Sequence, residues 1–290
     1  MVRRIIFVIL FFGVYYFCHQ QTDGFQVVKI ISHLPPFPRW KTPLPTTEEV
    51  QTLQAVFSQP FYYLASGGQC YAFVSQDGRL VLKLFKMHNI RQYPFLERRS
   101  LPGILDLYRI KFLNVQKQKL DRVFSSSILA YEKLKDESGL LFLNLNPSDQ
   151  FKDLKVTLYD KIGVQHHLDL AKIPFALQHK ADPVFPTLRF HLMHKDISSC
   201  KRTIDAIVQC LMARYQKGVV DLDPAVRRNI GLLKDKAITI DIGSFKQTTE
   251  LNILEELKID TQRLKKWLLK HSPALAEYLE KSIHDKEENK

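Results

Sequence analysis

GVVDLDPAVRRNIGLL (residues 218–233), followed closely by AITIDIG (residues 237–243), is the stretch on which the reading of the whole chain turns. Gly218 stops an amphipathic helix in which Ile197, Ile204, Ile207, Val208, Leu211, Met212 and Tyr215 recur at helical spacing. Two carboxylates, Asp221 and Asp223, and one amide, Asn229, come next. The apolar runs Asn229 to Leu233 and Lys236 to Ile240 flank Lys234-Asp235 and read as a short strand pair. The second run ends abruptly in Asp241-Ile242-Gly243, which is how a chain delivers one carboxylate to a cleft and then turns away.

Working back toward the N-terminus, three strand-like stretches follow one another: Phe61 to Ala65, Gln69 to Ser75 and Arg79 to Phe85. Asp77-Gly78 between the last two is a two-residue hairpin signal, so the three form an antiparallel meander. Lys83 stands inside Val81-Leu82-Lys83-Leu84-Phe85, where a charge is costly unless an anion meets it. Strand alternation puts Val81 and Lys83 on one face and Lys86 on the other, where it reads as solvated. Gly67 and Gly68 sit in the turn before the second strand, where glycine permits close backbone approach to a phosphate.

Beyond the meander a basic insertion, Lys86 to about Val115, shows no clear period. Then Leu120, Val123, Phe124, Ile128, Tyr131 and Leu134 mark a helix ending near Gly139. Glu132 lies on the edge of its apolar stripe, with Glu137 as a second candidate partner for Lys83. Leu140 to Leu145 and Lys155 to Ile162 are strand-like, and Phe175 to His194 is too mixed to assign. The tail offers one helix opening near Asp260 and another at Ser272-Pro273.

Taken in order, these features resemble the protein kinase superfamily, including its aminoglycoside-phosphotransferase-like branches. The resemblance covers roughly Phe61 to Phe245. It implies an α+β, bilobal fold with a small antiparallel sheet lobe over residues 47–165 and a mainly helical lobe over 166–290. It implies ATP and Mg²⁺ as ligands, bound between the lobes. Gly67, Gly68, Lys83 and Glu132 would fix the nucleotide, and Asn229 and Asp241 would hold the metal. Asp223 would orient a hydroxyl acceptor, with Asp221 as the alternative carboxylate. Hard oxygen donors are what a magnesium triphosphate requires, which is why a carboxylate and an amide belong there.

Several features depart from the family pattern. Asp221 and Leu222 replace the histidine and arginine that precede the catalytic aspartate, and the interval from Asp223 to Asn229 is one residue longer than usual. No lysine stands two after Asp223, although Arg227 or Arg228 is near. No A-P-E-like segment follows Gly243. Two readings therefore stand side by side: a phosphotransferase acting on a hydroxyl, and a catalytically impaired, pseudokinase-like membrane-tethered scaffold binding a protein partner.

A third reading comes from the N-terminus. Arg3-Arg4 and the uncharged run Ile5 to Cys18 match a signal peptide or an uncleaved membrane anchor over residues 1–21, although the run is short for a spanning helix. Residues 22–46, with Pro35, Pro36, Pro38, Pro43 and Pro45, read as an extended linker. The expected location is membrane-anchored or exported, and an exported protein that binds no nucleotide is the corresponding function.

With 290 residues, 45% hydrophobic and 25% charged, dominant disorder is excluded. The net charge of +12 favours anionic partners. The basic run around Arg91, Arg98, Arg99, Arg109 and Lys111 could meet nucleic acid or lipid headgroups, but it carries few aromatics, so nucleic acid is not expected and a solvated face is the simpler reading. Cys18, Cys70, Cys200 and Cys210 lack CxxC spacing and read as buried free thiols. His166-His167 and the pair His191 and His194 lack ligand-spaced partners and read as hydrogen-bonded or solvated.

Overall fold

Asp77 and Gly78 close the hairpin on which the sheet is built. Asp77 Oδ1 accepts from Ser75 Oγ at 2.6 Å and from Arg79 N at 3.1 Å, and Gly78 takes the left-handed φ of +71° that the turn requires. The computed structural model describes residues 2–43, 45–90, 93–148 and 151–288; Arg91 of the basic run lies outside them. The chain folds as two compact units. One comprises residues 1–121 and 143–177, the other residues 122–142 and 178–290.

The first unit is a sheet. Its meander is β1 (Phe61–Ser66), β2 (Cys70–Ser75) and β3 (Leu80–Phe85), antiparallel, with Ala72 opposite Lys83. The full sheet runs β4-β7-β3-β2-β1-β5-β6, where β4 is Leu140–Asn144, β5 Lys155–Tyr159, β6 Gln165–Asp169 and β7 Phe175–His179. The β5–β6 hairpin joins through a short parallel pairing of β5 with β1. The unit boundary falls within β4 and β7. Aromatic side chains fill this core: Phe57, Phe61, Phe151 and Phe175 meet at ring-centroid distances of 5.7 to 6.0 Å. Helix α2 (Thr47–Phe57) leads in with a capping box, Thr46 and Glu49 each accepting the other's backbone N–H.

The stretch read as an extended linker holds two short 3₁₀ turns, Val27–Lys29 and Pro38–Trp40, and is not free of the sheet. Phe25, Ile30 and Trp40 are buried, and Phe25 packs edge-on against Tyr71 and Phe73. Its prolines keep regular elements short, Pro38 opening one of the two turns, without preventing burial of the large apolar residues between them. Before it, α1 (Val2–Thr22) is helical, and Lys161 Nζ donates to Gln20 O and to Asp23 Oδ1 just beyond its end. Among the described residues no helix is long and apolar enough to cross a membrane, so the transmembrane-helix expectation is corrected for α1. The polar end, His19 to Thr22, leaves the apolar run short of a bilayer's thickness.

Two of the four thiols depart from the expectation of burial: Cys18 is exposed and Cys70 half-buried, whereas Cys200 and Cys210 are buried. The insertion also holds more structure than its sequence pattern indicates. A short helix, α3 (Pro94–Glu97), precedes α4 (Ile104–Lys133), which starts well before Leu120.

The second unit is mainly helical. After α5 (Lys135–Ser138) and the start of β4, the stretch left unassigned, Phe175 to His194, resolves into β7, whose end lies in this unit, a two-residue β8 (Asp182–Pro183) and α6 (Val184–Met193). Next come α7 (Ile197–Gln216), β9 (Val219–Asp221), α8 (Val226–Asn229), β10 (Ile230–Leu233), β11 (Lys236–Thr239) and β12 (Phe245–Gln247), then α9 (Ile253–His271) and α10 (Pro273–Glu288). Leu188, Ile204, Ile207, Val208, Leu211, Leu264, Leu268 and Leu279 form the core. Gly218 has φ +69°, and a Cβ there would come within 2.9 Å of Thr248 O, so the α7 stop requires glycine. The fold class is α+β. A meander, a long helix, a helical unit and a loop–hairpin–turn follow in the order that the resemblance implies.

Candidate functional site

In the helical unit four hydrogen-bonded segments hold most of the candidate residues. β9 and β12 pair antiparallel with Asp221 opposite Phe245, and β10 and β11 pair with Ile230 opposite Thr239. The hairpin continues one step as Ile240 N donates to Asn229 O at 2.7 Å, which sets Asn229 beside the residue that precedes Asp241. Asp241 Oδ1 accepts from Gly243 N at 3.0 Å, folding the Asp-Ile-Gly turn on itself while the carboxylate stays half-exposed.

Asp221 and Asp223 do different things. Asp221 is buried, and its Oδ1 accepts from Ser244 Oγ at 2.5 Å and from Asp223 N at 3.0 Å. Leu222 N donates to Ser244 O at 2.9 Å, so this carboxylate ties the loop to the turn after Asp241. Asp223 is exposed, with Arg228 at 3.7 Å from its Oδ1. Asn229 is buried and donates Nδ2 to Asp223 O at 2.7 Å, which fixes the amide and presents Oδ1 as its acceptor end. The extra residue between Asp223 and Asn229 is absorbed by the single turn of α8, where Arg228 N and Asn229 N both donate to Ala225 O.

Two supports are invisible in the sequence. Ser126 of α4 donates Oγ to Ile242 O and accepts from Phe245 N, both at 2.6 Å, so one buried hydroxyl clamps both sides of the turn. Arg214, at the end of α7, is buried against Asp260 and Tyr215, both of which it hydrogen-bonds. Burial pushes the Tyr215 hydroxyl far up, and Arg214, itself lying near the charge of Asp221, remains a cation. Serine and a lone arginine carry no period or motif that would mark them.

Glu132 is exposed on the part of α4 that belongs to the helical unit, whereas Lys83 belongs to the sheet unit. Glu137, the second candidate, is buried, and its two carboxylate oxygens accept from Lys217 Nζ at 2.7 and 2.8 Å.

In the sheet unit, Lys83 is half-buried between the buried Leu82 and Leu84. Neither Gly67 nor Gly68 has a positive φ, and a Cβ on Gly68 would meet nothing within 4 Å, so the space beside the turn is open. The expectation that Lys86 is merely solvated is corrected. Its Nζ donates to Gly67 O at 2.6 Å and Ser66 Oγ at 2.8 Å and lies 4.4 Å from the centroid of the Tyr71 ring. Burial lowers its pKa. The β3 strand ends at Phe85, so alternation no longer governs Lys86.

The other sequence candidates are engaged locally. His166 Nε2 is 2.9 Å from Asp160 Oδ2, and Arg109, expected on a solvated face, has a largely covered side chain paired with Asp106. Among the described residues no group of three or more His, Cys, Asp or Glu is placed to hold a metal. Asn229 and Asp241 are a smaller, all-oxygen pair. That donor set fits Mg²⁺, which takes one or two protein ligands and completes its shell with water and phosphate.

No protein-family model and no curated protein matches the sequence. Solved structures similar to it include a co-crystal structure of WbdD with the kinase inhibitor LY294002, at TM-score 0.37 and 12% identity over 78% of this chain and 45% of that one. A structure of the bifunctional kinase-methyltransferase WbdD matches at TM-score 0.33 and 13% identity over 76% and 43%. The complex of Rv3197 with erythromycin, from Mycobacterium tuberculosis, matches at TM-score 0.33 and 14% identity over 80% and 60%. The chain spans less than half the length of the WbdD structures.

Proposed function

We propose that this chain binds a nucleoside triphosphate with a divalent cation and passes a phosphoryl group to a hydroxyl acceptor. The observation that carries the reading is the division of labour between two neighbouring carboxylates: Asp221 is buried and spent on Ser244, while Asp223 is held by its backbone and turns its side chain to solvent. A loop that fixes an exposed carboxylate next to an oriented amide is suited to positioning a hydroxyl beside a metal-bound phosphate. Asn229 and Asp241 would hold Mg²⁺, whose contribution is to neutralise phosphate charge. Lys83 and the open turn at Gly67 and Gly68 supply phosphate-binding groups on the sheet unit. Arg228, beside Asp223, supplies positive charge near the transferred group.

The scaffold reading has one observation of its own. The same Arg228 sits 3.7 Å from Asp223 and gives the candidate catalytic carboxylate a counter-ion within its own loop. Thermal-shift measurement on the full chain with Mg²⁺-ATP, with ATP plus chelator, and with neither tests the binding claim shared by both readings. Stabilisation that the chelator removes supports them, and no stabilisation leaves the exported protein that binds no nucleotide. Release of ADP that Asp223→Ala abolishes supports the enzyme, and binding without release supports the scaffold. The signal-peptide or anchor reading of residues 1–21 belongs to the same proposal. It is supported by the exposed Phe7, Leu10, Phe11 and Phe12 of α1, and cell fractionation tests it.

A further inference from the structure

The first half of α4 turns its apolar face to water. Ile104, Leu105, Tyr108, Phe112 and Val115 stand at i, i+1, i+4, i+8 and i+11, one stripe of a helix, and are 66, 55, 66, 39 and 40% exposed. Leu107 and Ile110, 67 and 42% exposed, lie outside that stripe, and the half-buried line of this half of the helix is Asp106, Arg109, Leu113 and Gln116. Arg109 Nε pairs with Asp106 Oδ1 at 2.7 Å, Arg109 Nη1 donates to Leu96 O at 2.7 Å, and Asp106 Oδ1 accepts from Leu101 N at 2.8 Å. These contacts, two of them to the preceding segment, fix the rotation of the helix with its stripe outward. From Leu120 the usual arrangement returns: Leu120, Val123, Phe124 and Ala130 are buried, while Arg122, Ser125 and Glu132 are exposed. Phe95, 63% exposed, and Leu101 extend the apolar ground, and Arg99 lies 4.5 Å from the Phe95 ring centroid. An exposed apolar tract of this size calls for an occupant.

Charge decides which one. Around the stripe Arg98, Arg99, Lys111, Lys117 and Lys119 are all exposed, against Glu97 as the one exposed acid among the described residues there, because Asp106 is consumed by Arg109. Two copies stacked on this face would oppose like charges. Apolar residues flanked by long basic side chains suit the headgroup layer of an anionic bilayer, with the rings and aliphatic groups below the phosphates and the ammonium and guanidinium groups among them. We propose that α3 and the first half of α4 form a peripheral membrane-binding surface for anionic lipid, separate from α1 and independent of nucleotide binding.

The test places a reporter on the stripe of the full chain. Tyr108→Trp is compared with the parent protein on phosphatidylcholine vesicles with and without phosphatidylserine, the parent emission of Trp40 and Trp267 being subtracted. The expected result is a blue-shifted signal, quenched by brominated lipid, that needs phosphatidylserine and weakens as salt rises. A combined Lys111→Glu, Lys117→Glu and Lys119→Glu variant should lower vesicle partitioning at least about tenfold without changing the circular dichroism melt. Vesicle binding that leaves the reporter unquenched would assign all attachment to α1 and overturn the proposal. So would failure to bind anionic vesicles, or a dimer in sedimentation velocity that Leu105→Glu dissociates, which would make a second copy the occupant.

Discussion

Ser244 donates its hydroxyl to Asp221 at 2.5 Å, so the residue that follows the Asp-Ile-Gly turn is hydrogen-bonded to the carboxylate that opens the candidate catalytic loop. Asp221 also receives Asp223 N, and both partners lie with it in the helical unit. Removing this buried acceptor strands a hydroxyl and an amide. Asp221→Ala should therefore destabilise the protein by about 1–3 kcal/mol, whereas Asp223→Ala, at an exposed side chain, should stay within about 0.5 kcal/mol. Denaturant titration of the two variants separates the structural carboxylate from the one proposed to be catalytic, and equal destabilisation would remove the distinction.

Binding should fail without the hard-oxygen pair. Asp241→Ala and Asn229→Ala should each erase most of the Mg²⁺-ATP-dependent rise in melting temperature, a rise that corresponds to about 2.7 kcal/mol at one hundred times Kd. Lys83→Ala should also reduce it, and in the unliganded protein Asp241→Ala should melt close to the parent, because its carboxylate is half-exposed. A ligand-induced shift of full size in Asp241→Ala would remove this residue from the site.

How far the sequence can be read follows from what each residue signals. The meander, α7 and the β10–β11 hairpin are legible because alternation, helical spacing and the Asp77-Gly78 turn are local patterns. The start of α4 is not, since its apolar residues do not face the core and the buried-face period therefore fails. Ser126 and Arg214 are invisible for another reason. Their importance lies in partners far along the chain, Ile242 and Phe245 for the one, Asp260 for the other. Lys86 escapes a reading by alternation because it sits one residue beyond the strand that would orient it.

The sheet unit should weaken in acid. Hydrogen bonds from Lys161 and Tyr63 hold the Asp23 carboxyl below its usual range, and those from Ser75 and the Arg79 backbone hold Asp77 well below it. A depressed carboxylate contributes stability that is complete above the unfolded value, near pH ~4, and is lost as pH falls through the folded value. Both groups are partly solvated, so each contributes less than about 1 kcal/mol. Denaturant midpoints measured from about pH 7 down to about pH 3 should fall, and Asp23→Asn together with Asp77→Asn should flatten the lower part of that curve. A curve unchanged by the substitutions would place the acid sensitivity elsewhere.

The triad of Arg214, Asp260 and Tyr215 makes the strongest stability prediction. All three side chains are buried: α7 and α9 approach at this point, and Arg214 lies with its guanidinium carbon 5.9 Å from the Phe245 ring centroid. Burial raises the Asp260 pKa while the guanidinium and the phenol hydroxyl pull it back, so neutralising either partner leaves the other without compensation. Asp260→Ala should cost about 3–5 kcal/mol, and Arg214→Met about as much, because each leaves one buried charge alone. The double variant should be less damaging than the sum of the two, since it leaves neither charge behind. Because Arg214 also lies near Asp221, the single variants should weaken Mg²⁺-ATP binding more than a distant core truncation of equal cost, such as Leu279→Ala. If the two classes of variant weaken binding equally at matched stability, the triad holds the helices together and does nothing for the loop.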